Sequence, residues 1–211
     1  MKDKIRAAIL GMGTVGTGVY KIMMGQKDEF PHKAGVELEV AKILVRNAKK
    51  SREGVDMSIV TDKWEDIIND DSIDIVIEVM GGIEPARTYI TEALSRGKHV
   101  VTANKDLMAE HGHELLDAAS ANGCDLLFEA AVAGGIPIIR PLKQCLAANN
   151  ITEIMGIING TTNFILTKMT DEGMEFDEAL ALAQRLGYAE ADPTADVEGL
   201  DAGRKIAILA S

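Results

Sequence analysis

A chain of 211 residues, 46% of them hydrophobic, with a mean hydropathy of +0.04, is long enough for one large domain or for one domain and part of a second. Its net charge of −11 argues against a nucleic-acid surface, which needs clustered Lys and Arg, and no signal peptide or apolar run of membrane-spanning length is legible. Scarce aromatics (4%) suit close-packed α/β layers better than an all-β sandwich, and the two cysteines, Cys124 and Cys145, read as small apolar residues in a reducing compartment, so the expected setting is cytoplasmic and the expected partner a small molecule.

In chain order, the apolar run Ile5-Arg6-Ala7-Ala8-Ile9-Leu10 predicts a buried strand. Gly11-Met12-Gly13-Thr14-Val15-Gly16 follows it, and a helix is expected over 17–24. Strand, glycine turn and helix in that order are the context a dinucleotide-binding fingerprint requires. Gly11 allows the tight turn, Gly13 lets the backbone approach a pyrophosphate, and Gly16 lets helix and strand pack closely. The helix N-terminus then offers free N–H groups and the positive end of its dipole to phosphate. A polar loop over 25–35 leads to a second strand over 36–45, which ends in Val45-Arg46-Asn47 with Lys49 and Lys50 beyond. An acid at that place would hold a ribose 2′-hydroxyl. Its absence, with Arg46 able to stack on adenine and pair with a 2′-phosphate, favours NADP over NAD. A solvated basic loop is the plainer alternative.

Residues 58–61 predict a short edge strand and 63–69 a short helix. The nearly continuous apolar run over 73–79 predicts a strand covered on both faces. It ends in Met80-Gly81-Gly82, which would line the cofactor because ligands of an open parallel sheet sit beyond the carboxyl ends of its strands. Pro85 suits the first turn of the helix that follows to residue 95. A strand over 98–102 delivers Asn104 and Lys105 to the same edge, a helix runs over 106–121, and a last strand over 124–128 ends at Glu129. Four strand ends thus converge on one crevice. The first domain is expected to span 1–135 and the second 136–211.

The second part predicts a helix over 138–148, a strand over 151–158, a capped turn at Asn159-Gly160-Thr161-Thr162-Asn163 leading into a helix, and a helix over 176–186 that stops at Gly187. After the acidic loop 188–193 a last helix begins near 196 or 197. It ends in an apolar segment without a cap, so the domain is expected to continue beyond Ser211. Glu198, Asp201 and Lys205, spaced i, i+3, i+7, are expected on one helix face. They read either as a solvated face with an ordinary Asp–Lys pair or as a functional cluster beside Glu190, an acid able to receive an ammonium group. Lys105 at a helix start opposes the dipole, which favours a functional reading. Glu129 is either a capping acid or a hard-cation ligand. His99, His111 and His113 show no metal-ligand spacing.

These motifs together, from Gly11–Gly16 through Val100-Val101-Thr102-Ala103-Asn104-Lys105, the 129–137 segment, Gly156-Ile157-Ile158-Asn159-Gly160-Thr161-Thr162-Asn163 and 187–193 to Lys205, resemble the homoserine dehydrogenase family over essentially the whole chain. The resemblance implies an α/β fold, a Rossmann-like parallel-sheet domain followed by part of an α+β substrate and dimerisation domain. It implies NAD(P)H-dependent reduction of aspartate 4-semialdehyde to homoserine, on the route to threonine, methionine and isoleucine. Lys105 and Lys205 match the family's active-site lysines, with Lys205 the proton donor. Glu190 and Asp201 match residues that hold the amino acid or orient the lysine, and Gly187 a position near the cofactor. Glu129 with the carbonyls of Val132, Gly134 and Ile136 matches a monovalent-cation site, for sodium. The family also implies a homodimer and further chain after Ser211, often with an ACT regulatory module. The cofactor-contact set expected on these grounds is Gly11, Gly13, Thr14, Val15, Gly16, Arg46, Met80, Gly81, Lys105 and Gly187. Another Rossmann dehydrogenase acting on an amino-acid semialdehyde, or a non-catalytic nucleotide sensor, are the alternatives.

Overall fold

The computed structural model describes residues 2–211. The chain divides into two compact units, up to Gly134 and from Gly135 to Ser211.

The first unit is built on six strands: β1 (Lys4–Leu10), β2 (Glu37–Leu44), β3 (Val60–Thr61), β4 (Ile75–Glu78), β5 (His99–Thr102) and β6 (Leu126–Leu127). Their order across the sheet is β3-β2-β1-β4-β5-β6, and every neighbouring pair is parallel. Parallel strands need crossovers. Here α1 (Thr14–Gly25), α4 (Ala86–Ser95) and α5 (Lys105–Ala121) supply three of them, with the short helices α2 (Phe30–Ala34) and α3 (Glu65–Ile68) between. Such a sheet is covered on both faces, and Ala7, Ala8, Ile9 and Leu10 of β1 are all fully buried.

Alternation divides β1 between two layers. Ala7 and Ile9 join Tyr20 and Met23 of α1 with Val40 and Ile43 of β2 in one cluster. Gly16, Tyr20 and Met23 are the buried residues of α1, spaced i, i+4, i+7 along one stripe. Burial of a side chain such as Ile9 or Ile43 contributes about 1.5–3 kcal/mol. Trp64 stacks on Tyr89 with ring centroids 4.4 Å apart, and its indole N–H donates to Glu92 at 2.5 Å, tying the segment before α3 to α4.

Most expected elements form, with shifted ends. The first helix starts at Thr14 rather than 17, because Gly13 is its N-cap. The last strand shrinks to two residues.

The second unit contains α6 (Gly160–Glu172), α7 (Phe176–Leu186), α8 (Thr194–Val197) and α9 (Leu200–Ala210). Ile165 of α6 packs with Ala179 and Ala183 of α7 and with Ala189, and the small residues let the two helices approach closely. Phe164 stacks on Tyr188 at 4.7 Å. Three expectations change here. Residues 151–158 form no strand, since a strand needs a ladder partner and no other strand lies among the described residues of this unit. The helix expected over 138–148 reduces to a short wide-turn segment centred on Pro141–Cys145, because Pro141 has no N–H to extend a regular helix from the preceding turn. The single last helix is two, broken at Gly199, whose φ of 76° is left-handed. Glu198 therefore lies outside α9 and does not share the helical face of Asp201 and Lys205.

Candidate active site

In the first unit the strand order reverses direction at β1, with β2 on one side and β4 on the other. The carboxyl ends of β1, β4, β5 and β6, which carry the four motifs, are adjacent along one edge of the sheet. A crevice at that switch point is where such sheets bind dinucleotides.

The fingerprint glycines differ in what constrains them. Gly11 has φ 100°, its N–H donates to the Leu44 carbonyl at 2.9 Å, and a Cβ on it would lie 2.9 Å from the Val79 carbonyl oxygen. A Cβ on Gly16 would run into the Gly11 carbonyl. Gly13 meets nothing within 4 Å, so a side chain there would occupy only the open space in front of the helix. Helix α1 has no side-chain N-cap and no acid in its first turn, which leaves the positive end of its dipole uncompensated. Thr14 and Val15 are exposed at that end. The residues present thus fit a pyrophosphate: two tight glycines, one open one and uncapped N–H groups.

Arg46 is exposed just past β2. The basic loop behind it is folded back by Arg52, whose guanidinium donates to the Lys50 carbonyl at 2.7 Å and the Asn47 carbonyl at 3.2 Å. Arg52 was not anticipated.

Between β4 and β5 a hydrogen-bond network joins the two strand ends. Glu78, fully buried, accepts from the backbone N–H of Met80 at 2.8 Å and of Gly81 at 3.3 Å, and from the Thr102 hydroxyl at 2.6 Å. Thr102 accepts from the Asn104 N–H at 3.0 Å. The Asn104 amide donates to the Gly82 carbonyl at 2.6 Å, and its oxygen caps α5 by accepting from the Leu107 N–H at 3.1 Å. Lys105, half-buried, is the first residue of that helix. Glu78 and Thr102 were missed by sequence reasoning. The available signal was a lone carboxylate at the end of the apolar run 75–79, which must be hydrogen-bonded if buried.

Glu129 is half-buried and opens a single 3₁₀ turn, Glu129–Ala131. Val132 is buried and Gly134 exposed, and between them Ala133 has φ 53°, a left-handed conformation rare outside glycine that curls the chain. Ile136 is exposed, in the second unit.

In the second unit Asp201 and Lys205, one turn apart on α9, are brought together. The Lys205 ammonium lies 2.6 Å from the Asp201 carboxylate and donates to the Ile158 carbonyl at 2.5 Å. Asp201 is buried and also accepts from Asn159, whose amide donates to it at 2.8 Å and to Asp196 at 2.7 Å. Asn159 also caps α6 by accepting from the Thr162 N–H at 2.8 Å. Sequence reading identified the cap but not the bridge to Asp201. Gly187 ends α7 in a left-handed conformation, φ 80°. Glu190 is exposed on the loop after it, where its carbonyl accepts from Gln184 at 3.1 Å. His99 accepts at Nδ1 from the Asp125 N–H at 3.0 Å, a structural contact.

Comparison with known proteins follows the same division. Residues 11–129 match the family model described as homoserine dehydrogenase, NAD binding domain, and residues 137–211 match the homoserine dehydrogenase model. A homoserine dehydrogenase of Bacillus subtilis (strain 168) is 55% identical over 208 residues, covering 98% of this chain and 48% of that protein. The crystal structure of a homoserine dehydrogenase from Thiobacillus denitrificans is 50% identical, with a TM-score of 0.90, over 98% of this chain and 48% of its own. A hyperthermophilic archaeal homoserine dehydrogenase in complex with NADPH is 33% identical, with a TM-score of 0.83, over 98% of this chain and 68% of that one. The chain spans about half the length of the curated relatives it matches.

Proposed function

The chain belongs to the homoserine dehydrogenase family, and on that premise we propose that the whole protein reduces aspartate 4-semialdehyde to homoserine, with NADPH preferred to NADH. The observation that carries the catalytic part is the clamp on Lys205. Its ammonium is held between the Asp201 carboxylate and the Ile158 carbonyl, so its direction is set before substrate arrives.

A bound reduced nicotinamide supplies the hydride. As hydride reaches the aldehyde carbon, negative charge develops on oxygen. The Lys205 ammonium stabilises that charge and then gives up a proton. Asp201 orients the ammonium and accepts from Asn159 at the same time, so the acid cannot swing away. Lys105, presented by the Asn104 cap, and Glu190 supply complementary charges for the carboxylate and ammonium of the amino-acid substrate. Gly11, Gly13 and Gly16 with the N-terminus of α1 hold the pyrophosphate. Arg46 would pair with a 2′-phosphate, and Met80, Gly81 and Gly187 are the further residues we assign to the dinucleotide.

Glu129 and the carbonyls of Val132, Gly134 and Ile136 would hold a monovalent cation, for which hard oxygen donors suit sodium. The curled backbone at Ala133 supports that reading of the loop. The protein works as a cytosolic homodimer. Residues 151–158 support the assembly, since Met155 and Ile157 stand 83% and 77% exposed on a segment that forms no strand.

The test is homoserine oxidation by the full-length protein, against other hydroxy amino acids. Lys205→Ala is expected to lower kcat by about 10²–10⁴, and Lys105→Ala to lower kcat/KM. Activity undiminished in both variants refutes the mechanism, and equal rates on unrelated hydroxy amino acids refute the substrate. Arg46→Ala is expected to raise KM for NADPH roughly tenfold while sparing NADH.

A further inference from the structure

We propose that Glu78 is a positioning residue for the nicotinamide half of the dinucleotide: it locks the Met80–Gly82 turn to the Asn104 cap that presents Lys105. The proposal rests on the dinucleotide reading above and adds to it a residue that makes no contact with the cofactor.

Glu78 is the last residue of β4 and is fully buried beside Ile75, Val76 and Ile77. An apolar residue would end a buried strand at lower desolvation cost, so stability alone is a poor reason for a carboxylate there. What the carboxylate does instead is collect donors from two loops. One oxygen turns the N–H groups of Met80 and Gly81 back towards the strand, and the turn then runs through Gly81 and Gly82 at φ 75° and 76°. The other oxygen accepts from Thr102 on the next strand. Thr102 accepts from the Asn104 N–H and donates its own hydrogen to Glu78, because a carboxylate oxygen only accepts. Asn104 closes the circuit by donating to the Gly82 carbonyl and capping α5 at Lys105. Two loops on neighbouring strands thereby share one geometry. Those strands, β4 and β5, belong to the second mononucleotide half of the sheet; β1, which carries the glycine fingerprint, is the direct neighbour of β4, and Arg46 lies beyond β2 on the opposite side of the switch point.

The placement of these two loops in the nicotinamide half gives the test. Glu78→Gln keeps an acceptor for the Met80 and Gly81 N–H groups but turns an amide donor towards Thr102, whose hydrogen then loses this acceptor. Glu78→Ala removes both links. With the full-length protein, dissociation constants are measured for NADPH and for 2′-phospho-ADP-ribose, which is the same ligand without nicotinamide, together with the melting temperature. The expected result is an NADPH constant raised roughly tenfold in Glu78→Gln and further in Glu78→Ala, with the nicotinamide-free ligand within about twofold of the parent in both. Glu78→Gln carries the test if Glu78→Ala does not fold. Parallel weakening of both ligands, unchanged binding of both, or failure of Glu78→Gln to fold overturns the assignment. A parent chain that takes up no NADPH overturns the dinucleotide reading itself.

Discussion

The fingerprint glycines make a prediction in which two neighbouring glycine-to-alanine changes have opposite signatures. For Gly16→Ala, helix propensity alone favours Ala by about 1 kcal/mol. The structure reverses that sign. The new methyl would collide with the Gly11 carbonyl, whose carbon lies 2.9 Å away, and would stand 3.2 Å from the Val79 side chain. Gly11 is itself held by its bond to Leu44 and by its positive φ, so the backbone cannot retreat cheaply. Overpacking against rigid neighbours costs about 1–3 kcal/mol. Less the propensity gain, a net loss of up to about 2 kcal/mol lowers the melting point by up to roughly 6–12 °C for a unit of this size. For Gly13→Ala the backbone, at φ −78° and ψ −159°, suits any residue, and the methyl meets nothing. Loss of the preferred glycine N-cap costs only a few tenths to about 1 kcal/mol. The methyl does stand where a pyrophosphate must approach. The assay is thermal unfolding with and without NADPH. At a ligand concentration 100-fold above Kd the parent gains about 2.7 kcal/mol. Gly13→Ala is expected to melt near the parent without ligand and to lose most of the NADPH shift. Gly16→Ala is expected to melt low in both conditions. A parent-sized NADPH shift in Gly13→Ala, or a Gly16→Ala chain that melts at or above the parent, refutes the reasoning.

Two further predictions concern other parts of the molecule. Asn159→Ala removes the cap of α6, worth about 1 kcal/mol, and takes a donor from the buried Asp201, at a further cost of about 1–3 kcal/mol. Hydrogen exchange is therefore expected to speed up at the start of α6 and along α9 while β1 is unaffected; unchanged protection on α9 would show that Asn159 does not hold Asp201. The second is acid stability. At Asp74, burial pushes the carboxyl up, but the Lys2 ammonium and the Arg6 backbone N–H outweigh it and hold it below its ordinary value. At Asp70, Ser72 does the same against burial. Groups depressed in the folded state contribute stability fully above the unfolded carboxylate range, near pH 4, and lose it as pH falls through their folded values. The melting temperature is thus expected to hold down to about pH 5 and then fall. Asp74→Asn should flatten that acid limb, and a limb of unchanged slope refutes the assignment.

Much of the first unit was legible because its signals are local. A parallel sheet buried on both faces demands continuous apolar runs, and those of β1, β2 and β4 stand out whatever surrounds them. The fingerprint lies within six residues, and its glycines are required by contacts spanning only the turn and the neighbouring strand end. Parallel pairing by itself brings Gly11, Met80, Lys105 and Glu129 to one edge, so their convergence follows from element order. The ends of elements were less legible. Gly13 starts α1 three residues early by acting as its N-cap, and Gly199 breaks the last helix and moves Glu198 off the face expected of it.

The strand order of the first unit, the turn chemistry of the glycines and the residue types available at each strand end follow from the chain alone. Which of those residues are joined is set by the packed fold. Glu78 finds Thr102 across 24 positions of chain and Asn159 finds Asp201 across 42. Neither pairing has a periodicity to betray it, because a side-chain hydrogen bond depends on where two backbones are brought within about 3 Å, which no local propensity encodes. The absence of a strand over 151–158 has the same origin. An apolar, alternating segment is competent to be a strand, but its ladder hydrogen bonds belong to a partner, and pairing is a property of the fold rather than of the segment.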